Sequence, residues 1–378
     1  MSTFPPIGTA AAADPAHVLA EALSFEMRSR LAEAEGLCRE ALRLDPASLQ
    51  GWHQLGRVLE RRGRLGDAEA AFRRVLDLAP GAPSTALELG QLLLSQGRYD
   101  EGFAHFEGRF GLTPARAKPA LPFPEWRGED VAGKKLLIWI EQGYGDQIQF
   151  ARFAPRLKAM GADVTLLCLQ PLERLFAANL GVRVIATSGA VEFPDPDYWV
   201  MACSIAWRLG IGPEDIPAAP YLRPIGEVQL GDWRPGEFRV GLMARGNPGH
   251  ANDANRSLPA DQAARLAQMP ARVVDLDPAS TGARDFADTA ALIDQLDLVV
   301  SVDTSVAHLA GAMGKPCWVL LPAIGCDWRW FRDRTDSPWY PTLRLYRQPA
   351  GGDWGPTVGR VLADVGASIV ARSAPGDG

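Results

Sequence analysis

The segment Leu296–Pro316, LDLVVSVDTSVAHLAGAMGKP, restricts the fold more than any other part of the chain. Residues 298–302 are an apolar, β-branched run, the pattern of a strand buried on both faces of a parallel sheet. Asp303 and Thr304 interrupt it, and the spacing from Ser305 to Met313 predicts a helix. A Gly-Lys-Pro turn then leads into a second buried strand, Cys317 to Leu321. The result is a βαβ unit with polar residues at the carboxyl end of its first strand, where open α/β sheets take ligands. Thr304 or Asp303 is expected to cap the helix and leave the amides of Ser305, Val306 and Ala307 as an anion site. His308, within the first turn, is placed to donate to a phosphate or to hold the loop. The same residues also fit a plain structural use: two caps and a histidine satisfied inside a core.

A second pattern precedes this one. From Leu49 to Ala82, the residues Trp52, Leu55, Gly56, Leu59, Gly63, Ala68, Phe72 and Pro80 fall at tetratricopeptide-repeat offsets. A preceding unit has Ala34, Cys38 and Ala41 at matching places, and a third carries Leu89, Gly90, Leu93, Gly97, Gly102 and Phe106. Small residues at Gly56 and Ala68 let antiparallel helices approach, while Trp52 and Phe72 fill the gap between pairs. About three repeats are the minimum for a stable stack. The expectation is therefore an all-α array over 15–110, followed by a Pro- and Ala-rich strap over 111–133. Such arrays offer a groove to a protein or peptide. A packing shoulder or a dimerisation arm is the competing use, so a homodimer stays open.

Beyond the strap the order is α/β throughout, which argues for parallel sheets. Lys135 to Ile140 reads as a buried strand, followed by Glu141-Gln142-Gly143-Tyr144-Gly145-Asp146 and a helix from Gln147 to Met160. Glycines at 143 and 145 allow backbone to approach a ligand closely. Asp146 would stand at the helix N-terminus, either as a cap or as a carboxylate able to accept a proton from an attacking hydroxyl. Five prolines and five glycines between Gly210 and Glu237 mark a seam, giving domains over 134–232 and 233–372. The loop after the next strand carries Arg245, Asn247, Arg256 and Ser257, which suits phosphate or sugar hydroxyls. Asp275-Leu-Asp277 looks like an acidic metal pair, but a strand end gives the same alternation. The passage with Trp328, Trp330, Phe331, Trp339, Tyr340 and Trp354 either stacks on sugar rings or anchors loops, and anchoring is favoured. A last helix from Pro356 to Ala371 is expected to cross back to the first α/β half, and the tail after Ser373 to fray.

Charge and composition narrow the partners. A net charge of −6 gives no footprint for nucleic acid or an anionic membrane. The N-terminal MSTFPPIGTAAAADP lacks the basic and apolar regions of a secretory signal, and no stretch is long enough to span a membrane. Five cysteines without metal-ligand spacing suit a reducing compartment, so the expected location is cytoplasmic.

EQGYGDQIQFARF (141–153), GNPGHANDANRS (246–257), DFADTAALIDQLDLVVSVDTSVAHLAGAMGKP (285–316) and DWRWFRDRTDSPWYPTLRLYRQ (327–348) together resemble bacterial tetratricopeptide-repeat glycosyltransferases akin to the ADP-heptose heptosyltransferases. The resemblance implies a GT-B fold, two facing Rossmann-like domains behind the repeat array. It also implies inverting transfer of a sugar from a nucleotide-sugar donor without a metal or cofactor. Carried over, Asp146 is the base, and Asp303, Thr304, Ser305 and His308 hold the donor diphosphate. Gly143, Gly145, Gln147, Arg245, Asn247, Arg256 and Ser257 complete the donor site. With the repeats gripping the acceptor, the expected substrate is a protein, such as flagellin or another surface protein. Two departures stand out. Met243-Ala244-Arg245 replaces a usual tryptophan before the Gly-Asn-Pro turn, and DLDPASTGAR shortens the segment after Val274. They motivate two alternatives: a catalytically silent scaffold or binding module, and a transferase acting on lipid or polysaccharide.

Overall fold

The computed structural model describes residues 14–373 except 114–116, 188, 190, 227, 232 and 235. The N-terminal segment judged against a secretory signal, and the tail after Ser373, lie outside the described residues. Two compact units emerge. One holds the described residues up to Leu93 together with 104–117; the other holds Leu94–Phe103 and the chain from Lys118 onward.

The helices of the array are α1 (Pro15–Met27), α2 (Leu31–Leu44), α3 (Leu49–Arg61), α4 (Leu65–Leu78), α5 (Pro83–Leu94) and α6 (Tyr99–Phe106). Asp14 and Ser48 cap α1 and α3 by accepting from the amides of Ala16 and Gly51. Small residues do what the spacing requires. A Cβ at Gly56 would lie 2.5 Å from the Phe72 ring, so α3 and α4 cross in contact only because Gly56 has none. Leu55, Leu59, Ala68 and Phe72 join Leu19, Ala34, Cys38 and Leu92 in one apolar core. Glu26 is buried beneath Arg57 and Arg61, which hydrogen-bond its carboxylate at 2.9 and 3.4 Å.

The second unit contains two sheets, both wholly parallel. The first has β1 (Lys135–Trp139), β2 (Asp163–Leu169), β3 (Arg183–Thr187) and β4 (Tyr198–Met201) in the order β3-β2-β1-β4. Its helices are α7 (Tyr144–Ala151), α8 (Phe153–Ala159), α9 (Glu173–Asn179) and the single turn α10 (Ile205–Arg208). The strap residue Glu125 bridges to Trp199 of β4, and Trp126 behind it is buried. The second sheet runs β6-β5-β7-β8-β9, with β5 (Arg239–Met243), β6 (Arg272–Asp275), β7 (Leu298–Val302), β8 (Cys317–Leu321) and β9 (Leu343–Arg347). Around it lie α11 (Asp253–Arg256), α12 (Ala260–Ala267), α13 (Pro278–Thr281), α14 (Phe286–Asp294), α15 (Ser305–Ala312) and α16 (Gly355–Ser373). Both strand orders reverse direction beside the first strand of the sheet, which opens a crevice at the carboxyl ends.

Both sheets lie within the second compact unit. The helix expected from Gln147 begins at Tyr144 and breaks at Arg152, dividing into α7 and α8. Strand β9 adds an element to those expected from the sequence pattern, with Leu343 and Leu345 alternating with Arg344 as an edge strand should. Helix α16 stays with the second sheet, because Val358, Val361 and Val365 complete a core with Leu266, Val300 and Tyr346. Asp275 and Asp277 serve turns: Asp275 accepts from the Asp277 amide and the Ser280 hydroxyl, and Asp277 caps α13.

Phe72 has no exposed surface and fills the space that Gly56 leaves. Phe72→Ala is therefore expected to cost the array about 3–5 kcal/mol in chemical denaturation followed by far-UV circular dichroism. A loss below about 1 kcal/mol would show that the ring does not set this packing.

Candidate active site

The crevice of the second sheet lies between the loops that leave β5 and β7. Thr304 ends the β7 turn and caps α15: its Oγ1 accepts from the Val306 amide at 3.3 Å, and its carbonyl accepts from Ala307 at 3.1 Å. Of the three amides expected to be bare, two are thus engaged within the turn, and Ser305 supplies the remaining one. From the β5 side, Arg256 donates to the Asp303 carbonyl at 2.9 Å and to Asp253 at 3.1 Å. Ser257 accepts from the Gly246 amide and donates to Asp253, which closes the loop. These two residues shape the crevice from behind. Asn247 accepts from the Gly249 amide and is exposed, as is Arg245.

His308 lies in the first turn of α15. It is buried, its Nδ1 lies 3.0 Å from the Tyr340 hydroxyl, and its ring leans on Trp330. Burial, with Arg329 and Arg152 nearby, holds its pKa well below the usual value, so the ring is neutral. A Cβ at Gly145 would meet His308 Cδ2 at 2.8 Å, so α7 of the first sheet and α15 of the second cross here in direct contact. Gln147 also has a structural duty: its buried Oε1 accepts from the Leu169 amide at the end of β2. Gly143 caps α7, and its amide donates to Asp146 Oδ2 at 3.0 Å.

Asp146 is the third residue of α7, three positions beyond the cap, which is Gly143, because the helix starts earlier. Its Oδ1 accepts from Arg329, which lies on the turn after β8. Arg329 also grips both oxygens of Asp327 at 3.0 and 2.8 Å and donates to Gln149 on α7. Burial raises the Asp146 pKa; Arg329 and the Gly143 amide oppose that, and Asp327 and Glu141 add to it. Burial, and then Asp327, push the Asp303 carboxyl up to about 7. Asp146 and Asp303, from different sheets, therefore answer to the same two neighbours, Asp327 and Arg329. Sequence reasoning missed this pair. Their signal was an arginine set between two tryptophans in DWRW, read only for its rings.

Those rings are anchors. Trp328, Trp330, Phe331, Trp339, Tyr340 and Trp354 are all buried. Within the same unit Tyr99 and Phe103 pack on Trp328, and Trp339 Nε1 donates to the Tyr99 hydroxyl at 2.9 Å. At the rim, Arg174 of α9 pairs with Asp285 and Asp288 beside α14, and Tyr144 packs on Phe286 at 5.0 Å. The expected donor-loop segment after Val274 is occupied by α13, closed by Gly282 at φ 71°. Among the described residues no group of three or more His, Cys, Asp or Glu side chains could hold a metal, and no helix is long and apolar enough to cross a membrane.

Residues 257–320 match the glycosyltransferase family 9 (heptosyltransferase) profile, and residues 53–109 match a tetratricopeptide-repeat profile. The chain thus carries one stretch similar to tetratricopeptide repeats and, C-terminal to it, one stretch similar to family 9 glycosyltransferases. It is similar to Protein FlbA of Caulobacter vibrioides, with 28% identity over 300 residues, 66% of this chain and 49% of the relative. The chain thus spans about half the length of that protein. Among solved structures, MamA matches at 18% identity and TM-score 0.25, over 25% of this chain and 56% of MamA. The type III secretion translocator chaperone SycD of Yersinia enterocolitica matches at 14% identity and TM-score 0.26, over 27% of this chain and 79% of SycD. The family 9 match contains Ser257, Asp303, Thr304, Ser305 and His308, whereas Asp146 and Arg329 lie outside it.

Because a Cβ at position 145 has no room against His308, Gly145→Ala should force α7 and α15 apart. The expected loss is about 1–3 kcal/mol of stability in thermal or chemical denaturation. An unchanged midpoint would mean that the two helices do not depend on this contact.

Proposed function

We propose that the chain is a glycosyltransferase with a GT-B fold that transfers a sugar, of hexosyl or heptosyl type, from a nucleotide-sugar donor to an acceptor hydroxyl with inversion and without a metal. Asp146 is the base. As the acceptor oxygen bonds to the anomeric carbon, its proton passes to Asp146, and the bond to the diphosphate breaks on the opposite face. The nucleoside diphosphate leaves into the crevice between the β5 and β7 loops. There the Ser305 amide, the Thr304 hydroxyl and the dipole of α15 meet the developing charge. Asp303, with a pKa near neutrality, can lend a proton to a phosphate oxygen. Arg245 and Asn247, exposed on the β5 loop, are free to fold over the donor. The acceptor is a protein bound by the repeats, flagellin or another surface protein, and the reaction is cytoplasmic.

One observation carries this reading: a carboxylate on the first helix of one sheet and the ligand turn of the other lie around a single arginine, both at strand carboxyl ends. A second reading, a silent scaffold, draws support from α13 in place of the donor loop and from both Asp146 oxygens being bonded.

The two are separated by incubating the full chain with candidate nucleotide sugars and a cell lysate and measuring nucleoside diphosphate release. Asp146→Asn should lower the rate by about 10²–10⁴-fold; equal release from the variant would reject Asp146 as base. Nucleoside diphosphates at 100 times their Kd should stabilise the chain by about 2.7 kcal/mol in thermal shift. Absence of any shift would favour the scaffold.

A further inference from the structure

We infer that Arg329 is a positioning residue for the base, its guanidinium fixing the Asp146 carboxylate from across the junction of the two sheets. The inference rests on the assignment of Asp146 above. Arg329 is 4% exposed, and its donors are committed on three sides. One edge bonds Asp146 and Gln149, which stand one turn apart on α7, and the other bonds both oxygens of Asp327. A side chain that only neutralised charge would not also need the Gln149 amide oxygen. The fork instead reads a whole turn of α7, so the carboxylate has one orientation relative to the β7 turn.

The arginine is itself seated. Its guanidinium stacks on Trp328 at 4.6 Å, Asp327 caps the turn through the Arg329 amide, and Tyr99 and Phe103 close over Trp328. Two oxygens of Asp146 are each held by one donor, Arg329 and the Gly143 amide, which leaves further lone pairs to accept a proton. The charges around Asp146 are Arg329 and Asp327 from the β8–β9 segment, Glu141 from its own loop, and His250 from the β5 loop. Asp303 adjoins Arg329 and Asp327 from the β7 turn. Arg329 is the largest influence opposing the burial that raises the Asp146 pKa.

The test uses the full chain labelled with carboxyl-¹³C aspartate, the Asp146 signal being assigned by Asp146→Asn. In Arg329→Gln the Asp146 titration midpoint should rise by about one pH unit or more, and Arg329→Lys should restore most of the difference. Asp327→Asn leaves the arginine in place and removes its competing partner, so the midpoint should fall; this variant decides the matter if Arg329→Gln does not fold. In nucleotide release, Arg329→Gln should lower kcat by about 10²-fold with little change in donor KM, and move the acid limb to higher pH. Arg329→Lys should return the limb without recovering all of kcat. An Asp146 midpoint that stays put in both Arg329→Gln and Asp327→Asn would overturn the inference. If the unmodified chain releases no nucleotide, the transferase reading fails while the carboxyl titration still decides what Arg329 does.

Discussion

Two parallel sheets can bring their ligand-binding ends to one place only if the helices leaving their first ligand turns come close. In this chain that closeness is the crossing of α7 and α15, and it depends on Gly145 lying flat against His308. The consequences run outward from that contact. His308 must be neutral, since a buried imidazolium beside Arg329 and Arg152 would have no counter-ion of its own. Its Nδ1 is satisfied by Tyr340, and Tyr340 in turn fills the face of α15 that Gly311 leaves open. Arg152, where α7 breaks, reaches the Trp339 carbonyl at 2.9 Å and fixes the aromatic segment against the first sheet.

The electrostatics follow the same logic. Buried charges are costly unless paired and hydrogen-bonded, and a broken pair costs more than an absent one. Asp146, Asp327 and Arg329 meet that condition together, with Gln149 and the Gly143 amide supplying the remaining bonds. Asp303 meets it less fully, which is why its carboxyl is driven toward neutrality. The rim is different in kind. Arg174 is well exposed, and its pairs with Asp285 and Asp288 are stabilising above the ordinary carboxylate range and fade as pH falls through the lowered pKa values of both acids.

Much of this was legible before the structure. The βαβ unit from Leu298 to Leu321 has the bounds its apolar runs imply, and Thr304 caps as its position suggests. The repeat offsets place Gly56 against Phe72, because a tetratricopeptide spacing is itself a packing code. What escaped were features decided by long-range contact. The start of α7 at Tyr144 depends on Asp146 reaching back to the Gly143 amide, a bond that glycine-rich sequence disguises as loop. The fates of Gln147, Arg256 and His308 depend on neighbours over twenty residues away in sequence, Leu169, Asp303 and Tyr340, and local pattern carries no trace of them. Arg329 was hidden for the same reason: its partners on α7 lie on another sheet.

The central claim is that the carboxyl ends of both sheets frame one ligand site. Crystals of the full chain grown with a nucleoside diphosphate test it most directly. The diphosphate is expected between the β5 and β7 loops, against Thr304 and Ser305 and on the side of Asp146. Density at the opposite end of the first sheet, in the recess lined by Lys135, Asp163 and Arg183, with none at Thr304, would contradict it.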